Sequence, residues 1–576
     1  MVLNYFRSKE LQQYYQDLHK IYQSPSNDQL LKEIDQLQET HIPLTQNPVS
    51  IESHVLNDSQ LESWVSSMPT MDGTRRFIWN QMKYPSFNVN ELILRQKCIH
   101  DYKPNQTEQW SALSNVEKDI LWSFQLPPLE KAWPLPLLFP QWFPVRWVNH
   151  TPRLLELYHL YRIYGAPLSH FIYPLTLLLG PWWYVRTKLK WNLTWPAYIK
   201  FLKTILVELI RFRSGNIKEL VYKIVTLVVY VGLYIYGVIQ SFDIAHMLYT
   251  VRKQLYTKLE QIHTFLKVSK KIWDENPKIC ENIMTLWKLP TQRVHISLST
   301  SIQGIYSLYK NTTLQKNLKQ LLTQMYVIEA VHTMSSYQKE HSKTVSFPSW
   351  TPSEPTKLYA MGHPCLPPQQ QRNPVLLNKN LIITGPNAAG KTTYVRSILA
   401  NYILAQTFGL CFAKKSWIKP VATMASFMRV QDVIGSMSLY EAECRRCKEL
   451  IHKALNSHDP ILFFLDEPMH ATPPIEGAST AMALAKYLGK LPHVNLILTT
   501  HYHVLTRLEV LEPKHFHNIS MEASLSASDI QFSYRIQSGP SYQSIAIEML
   551  EKDAFPKEML HDAIEFKNKI CRVENK

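Results

Sequence analysis

Apolar positions along the first half of the chain recur mostly with a helical period. "SKELQQYYQDLHKIYQ" (8–23) and "DQLLKEIDQLQET" (28–40) carry them at such spacing, so residues 1–54 read as a helical N-terminal extension. Residues 55–165 continue as a helical core. This is broken by "LPPLEKAWPLPLLFPQWFPVRW" (126–147), whose prolines exclude a single helix. Residues 166–245 form a hydrophobic insert with candidate membrane segments, and 246–345 return to long, polar, helical periodicity that reads as a lever. From 346 to 576 the pattern changes. A proline-rich lead-in gives way to strand-like runs, "NLIITG", "ILFFLDE" and "NLILTTH", alternating with helices. That alternation predicts a parallel sheet with flanking helices, and an overall class of α plus α/β.

The insert contains two uncharged apolar runs. "FIYPLTLLLGPWWYV" (171–185) is short and interrupted by Pro174, Gly180 and Pro181, with Trp182, Trp183 and Tyr184 where interfacial aromatics would sit. "IVTLVVYVGLYIYGVIQSF" (224–242) approaches the roughly 20 apolar residues that a bilayer crossing takes. Three readings stand: a hairpin of two crossings, one crossing with a re-entrant or surface-lying segment, and a buried core helix. Two crossings put the basic stretch between the runs opposite the C-terminal domain, against the tendency of cationic loops to stay on the cytoplasmic side.

Charge adds to this picture. The net charge is +16, which suits an anionic partner, nucleic acid or membrane. Between Arg186 and Lys223, however, nine Lys/Arg face only Glu208 and Glu219, so seven of those charges lie in one short span. Overall basicity is therefore weak evidence for DNA. The seven cysteines are scattered and odd in number, as in a reduced, intracellular chain, and Cys444 and Cys447 read as two thiols on one helix. The polar N-terminus does not read as a secretory signal.

Gly385, Pro386, Asn387, Ala388, Ala389, Gly390, Lys391 and Thr392 fit G-x-x-x-x-G-K-[ST], between a strand and a helix that opens with Thr392 and Thr393. Such a loop presents backbone N–H groups to phosphates. Lys391 would neutralise the β- and γ-phosphates of ATP, and Thr392 would hold Mg2+. "PILFFLDEP" reads as a buried strand ending in Asp466, for the Mg2+ shell, and Glu467, to polarise the attacking water. A third strand ends at His501, a position similar to the one where ATPases of the ABC type place a γ-phosphate-sensing histidine; His503 is the weaker candidate.

Taken together these motifs resemble the ATPase domain of the MutS family of DNA mismatch repair proteins. "GPNAAGKTTYVR" is similar to that family's phosphate loop, in which the residue matching Asn387 contacts nucleotide. "GHPCL" stands where the family has a His-Pro lead-in. "MRVQDVIGSMSLYEAEC" resembles its signature segment, with Asp432, Ser438 and Glu443 at matching positions; the resemblance implies that Ser438 reaches across a dimer to the other subunit's ATP. "LDEPMHATPPIEG" and "TTHYHVLTRL" match two further motifs, and "SGPSYQSIAIEML" with "FPKEML" resembles C-terminal helices that help dimerisation. More faintly, residues 71–99 resemble the start of the family's helical core, with Thr74, Arg76, Trp79, Pro85 and Arg95 in register.

The chain also departs from the family. No Phe-x-Glu mismatch wedge stands before Met71, the hydrophobic 171–242 region takes the place of a DNA clamp, and "MHATPP" with His470 replaces Gly-Arg-Gly-Thr-Ser-Thr. The resemblance implies a P-loop ATPase domain of ABC/MutS type that uses ATP and Mg2+ in a homodimer to move helical levers. The first expectation is action on DNA, in repair or recombination, with mismatch recognition doubtful. The alternative is a membrane-anchored mechanochemical ATPase without a DNA role, with 171–185 and 224–242 as its membrane segments. A solute transporter is disfavoured, because two short runs cannot build a pathway. The compartment, nuclear or cytoplasmic, stays open.

Overall fold

The computed structural model describes residues 26–41, 48–104, 107–124, 147–148, 151–210, 217–301, 303–304, 307–308, 311–428, 438–526, 529–543 and 545–574. The helix expected over 8–23, nearly all of the proline-rich run 126–147, and Asp432 lie outside these residues. Along the chain, α1 (Asp72–Met82) and α2 (Val89–Asp101) precede an apolar set: α3 (Ala166–Thr187), α4 (Trp195–Ile210) and the long α5 (Ile217–Glu275). Helices α6 (Pro277–Leu286) and α7 (Thr312–Glu340) follow. The sheet region then carries α8 (Lys391–Phe408), α9 (Leu439–Leu455), α10 (Pro474–Gly489) and, near the C-terminus, α11 (Lys557–Glu574).

The chain divides into two compact units. One comprises Asn115–Ser269 and Val294–Gln320 with the segment up to Glu33; the other comprises Ile34–Ser114, Lys270–Arg293 and Leu321–Lys576. The second unit holds every described strand: β1 (Ser50–Ile51), β2 (Ser349–Trp350), β3 (Thr356–Met361), β4 (Asn373–Leu377), β5 (Asn380–Thr384), β6 (Lys415–Ile418), β7 (Thr423–Phe427), β8 (Ile461–Asp466), β9 (Val494–Thr499), β10 (Phe516–Ser526) and β11 (Asp529–Ser538). Its main sheet runs β1-β7-β8-β9-β5-β10-β11, parallel except for the antiparallel β10–β11 pair. A smaller sheet runs β2-β6-β3-β4. The mixed helix-and-sheet class expected from the alternation is what the chain forms. Strand β1, inside the segment read as a helical extension, is an addition: Ser50 and Ile51 pair in parallel with Thr423 and Met424.

Burial explains why the apolar runs become central strands. All five positions of β5 and the first five of β8 are buried, as expected for a parallel sheet covered on both faces. Helix α8 is buried along nearly its whole length and ends at Gly409, whose φ of 69° makes a left-handed cap. Its buried polar side chains are bonded rather than stranded. Asn401 donates to the Gly362 carbonyl and accepts from the Phe412 N–H, and Gln406 donates to the carbonyls of Ser86 and Val421.

The region 71–99 packs on this same helix. Arg95, 1% exposed, donates to the Thr407 carbonyl of α8 and to Glu91 Oε1, its guanidinium lying 5.4 Å from the ring of Trp287, just past the end of α6. Arg76 pairs with Asp35 through two hydrogen bonds of 2.6 and 2.7 Å. Glu329 on α7 accepts from the N–H and hydroxyl of Thr70 and from the Met71 N–H. Burial nevertheless raises its carboxyl above the ordinary range.

In the first unit, α3 runs unbroken for 22 residues through Pro174 and Pro181, so the first apolar run is longer and more regular than its prolines suggest. The second run lies on α5, a 59-residue helix, with none of Ile224–Phe242 buried. Within this single chain that run is not packed as a core helix. Among the described residues, α5 is the one helix that meets both length and hydropathy for a membrane crossing.

Candidate active site

The loop between β5 and α8 is shaped by its glycines. Gly385 has φ 143°, and a Cβ there would meet the Met521 carbonyl oxygen at 2.1 Å, so no other residue fits without displacing backbone. Gly390, at φ 96°, turns the chain into α8, and Ala388 is also left-handed at φ 66°. The first residue of α8 is Lys391, 5% exposed, whose Nζ donates to the carbonyls of Gly385 and Pro386 at 2.9 and 3.2 Å. Burial pushes its pKa down, opposed by the charges of Glu467 and Asp466. A helix N-terminus, a buried cation and a tight loop together make an anion cradle.

Strand β8 delivers the acids to this cradle. Its last residue, Asp466, is in register with Thr499 and accepts hydrogen bonds from the Thr499 and Thr392 hydroxyls, the latter at 3.0 Å. A hydroxyl and a carboxylate oxygen this close form a hard oxygen donor pair, the ligand chemistry that Mg2+ takes. The next residue, Glu467, takes a left-handed φ of 51°, a conformation costing about 1–3 kcal/mol that persists only where surroundings impose it. Here its N–H donates to the Thr499 carbonyl at 3.1 Å. Its Oε1 lies 2.6 Å from His501 Nε2 and 4.0 Å from Lys391 Nζ. The hydrogen bond from His501 holds the Glu467 carboxyl below the ordinary carboxylate range, against partial burial and with help from the charges of His501, Lys391 and His470.

Of the two histidines considered, His501 reaches the carboxylate. His503 instead packs against Tyr542, with ring centroids 5.0 Å apart. His470, singled out only as a departure from a motif, has its Nδ1 2.7 Å from Oε1 of Glu443, which is fully buried on α9; Glu443 also accepts from the Ala471 N–H. This pair ties the loop after β8 to α9. No spacing rule signals it, because 26 residues of intervening sequence separate the partners. Ser438 is exposed at the N-terminus of α9, where it forms a capping box with Glu441. Cys444 and Cys447 are free thiols on α9, and burial pushes Cys447 up to about 12.

A cavity of about 520 Å³ opens over the loop. Asn387, Ala388, Gly390, Lys391, Thr392, Thr393 and Glu467 line it, together with Met361, Gln370, Met521 and Tyr534. Its volume falls within the range of small-molecule sites. Gly385, Pro386 and Ala389 shape the loop behind the wall, and neither Ser438, Asp466 nor His501 forms part of the described lining. Sequence reasoning missed Met361 at the end of β3, Gln370 in the β3–β4 connection, and Met521 and Tyr534 of the β10–β11 hairpin, which match no local motif.

Residues 381–571 match the family model for MutS domain V. The chain is similar to the DNA mismatch repair protein MutS of Prochlorococcus marinus, 31% identical over 186 residues, 32% of this chain and 20% of that protein. It is likewise similar to the DNA mismatch repair proteins MutS of Persephonella marina (29% over 197 residues, 34% and 22%) and of Listeria monocytogenes serotype 4b (30% over 197 residues, 33% and 22%). The matched region spans about a fifth of the length of these curated relatives.

Proposed function

We propose that this chain, whose C-terminal region belongs to the MutS family, is an ATPase that binds and hydrolyses Mg–ATP in a homodimer, using the cavity over Gly385–Thr393. The observation that carries this reading is convergence. The ends of β5, β8 and β9 bring Lys391, Thr392, Asp466, Glu467 and His501 together around one anion cradle. Loop N–H groups and Lys391 bind the phosphates. Thr392 and Asp466 hold Mg2+, which supplies charge neutralisation at the phosphate oxygens. Glu467, kept ionised by its hydrogen bond with His501, accepts the proton of the attacking water, and His501 senses or steadies the γ-phosphate side. Ser438 closes the site of a second copy.

Closure of such a composite site would turn a small displacement into rotation of the long helices, the levers of residues 246–345. The relatives are named for DNA mismatch repair, which supports DNA as what the levers act on. A second reading, a membrane-anchored mechanochemical ATPase without a DNA role, is favoured by one observation: the exposed apolar length of α5.

Steady-state ATP hydrolysis by the purified full chain in detergent, with and without duplex and branched DNA, separates the two. Stimulation by DNA that Lys391→Ala removes supports the first reading. Hydrolysis that is indifferent to every DNA form supports the second and removes the first.

A further inference from the structure

Two helices of the first unit carry uncharged segments of matched length. Ala166–Val185 on α3 and Ile224–Phe242 on α5 contain no Asp, Glu, Lys or Arg. At about 1.5 Å per residue each covers close to 30 Å, the thickness of a bilayer's hydrocarbon core. They lie side by side where α3 begins and the α5 segment ends. The Phe171 and Phe242 rings are 6.0 Å apart, and the Tyr234 hydroxyl donates to the His170 carbonyl at 2.6 Å. That last bond has a specific cause. In a helix the His170 carbonyl would accept from the N–H of residue 174, which is proline and has none. A residue of the neighbouring helix thus satisfies the acceptor that Pro174 orphans, a necessity where no water can do so.

Apart from Pro167 at the start of α3, no residue of either segment is buried; Leu177, Val228 and Tyr230 are 60%, 64% and 68% exposed. On α5, exposed apolar residues occupy five consecutive positions, 227–231. At about 100° per residue these encircle the helix, leaving no polar stripe for water. A protein groove covers one face of a helix, whereas hydrocarbon covers all of them.

The far end of the pair has the chemistry of a membrane surface. Trp182, followed in sequence by Trp183 and Tyr184, packs edge-on against Trp195 with ring centroids 5.2 Å apart, and the Arg186 guanidinium lies 5.2 Å from the Trp182 ring. The connecting stretch Arg186–Lys223 holds nine Lys/Arg against two Glu, complementary to anionic headgroups. Within it α4 exposes Ile199, Phe201 and Val207 beside Lys200 and Lys203, the composition of a helix lying in the interface.

We propose that α3 and the first part of α5 cross an anionic lipid bilayer as an antiparallel hairpin, with α4 and the basic residues Arg186, Lys188, Lys190, Lys200 and Lys203 at the far headgroup layer. This stands apart from the nucleotide site and does not depend on it.

The test uses the full chain reconstituted into sealed vesicles of phosphatidylcholine with and without phosphatidylglycerol. Wild type is expected to float with the vesicles, to resist alkaline carbonate, to insert better with phosphatidylglycerol, and to show Lys188–Lys203 shielded from an impermeant amine reagent added outside. Val228→Lys with Leu233→Lys is expected to lower the carbonate-resistant fraction about tenfold or more. An unchanged thermal denaturation midpoint in detergent serves as its folding control; Tyr234→Phe, a milder change, is expected to lower the resistant fraction in the same direction. Binding released by high salt, lysines labelled from outside, or a chain that stays with the soluble fraction would each overturn the hairpin.

Discussion

Nε2 of His501 lies 2.6 Å from Oε1 of Glu467, and this contact is the main reason the carboxyl sits below its ordinary range. The carboxylate is therefore available as a base into acid solution. It stabilises the fold above the unfolded carboxyl's pKa, and that contribution disappears as pH falls through the lowered value. His501→Ala should return the carboxyl toward the ordinary range and move the acid limb of the pH–turnover profile to higher pH. A profile whose acid limb stays in place would detach Glu467 from the rate-determining base.

Lys391 is the buried cation of the cradle, so Lys391→Ala should weaken Mg–ATP binding about 10- to 100-fold, the loss expected for charge-assisted hydrogen bonds. Isothermal titration, or the thermal shift on adding Mg–ATP, measures it. Unaltered affinity would rule out phosphate contact by this lysine.

Gly385 has no room for a side chain, because the Met521 carbonyl fills the space. Gly385→Ala should destabilise the domain by about 1–3 kcal/mol or more from backbone strain alone, visible as a lower denaturation midpoint. A midpoint within error of wild type would show that the β5 terminus is looser than described.

Glu329 has the opposite electrostatics from Glu467. Burial raises its pKa in the fold, so its contribution is fully present below the unfolded carboxyl's pKa and is lost as pH rises through the folded value. Glu329→Gln should therefore flatten the fall in stability above pH ~4.3, the ordinary glutamate pKa, in denaturation midpoints compared across pH. A slope identical to wild type would show that Glu329 binds no extra proton in the fold.

The strands that position the catalytic candidates were legible in the sequence. Each is a run of consecutive apolar residues, and "NLIIT" and "ILFFL" form β5 and β8 because a sheet covered on both faces requires such runs. The phosphate loop was legible for a different reason: glycine spacing encodes a backbone shape. Contacts between distant segments were not legible. His470 with Glu443, Arg95 with Thr407, and the wall formed by Met361 and Tyr534 depend on how separate elements pack, which no local pattern records. Strand β1 is two residues long and has no periodicity to read. On α3, Pro174 reads as a break but is accommodated, because Tyr234 supplies the missing donor.

Single-turnover hydrolysis by wild type and Glu467→Gln, with bound nucleotide quantified in parallel, tests the account most directly. Wild type should convert bound ATP to ADP, while Glu467→Gln should retain ATP and slow cleavage by about 10²- to 10⁴-fold, the contribution of a positioned general base. Equal cleavage rates in the two proteins would contradict the assignment of this loop and carboxylate pair as a hydrolytic centre.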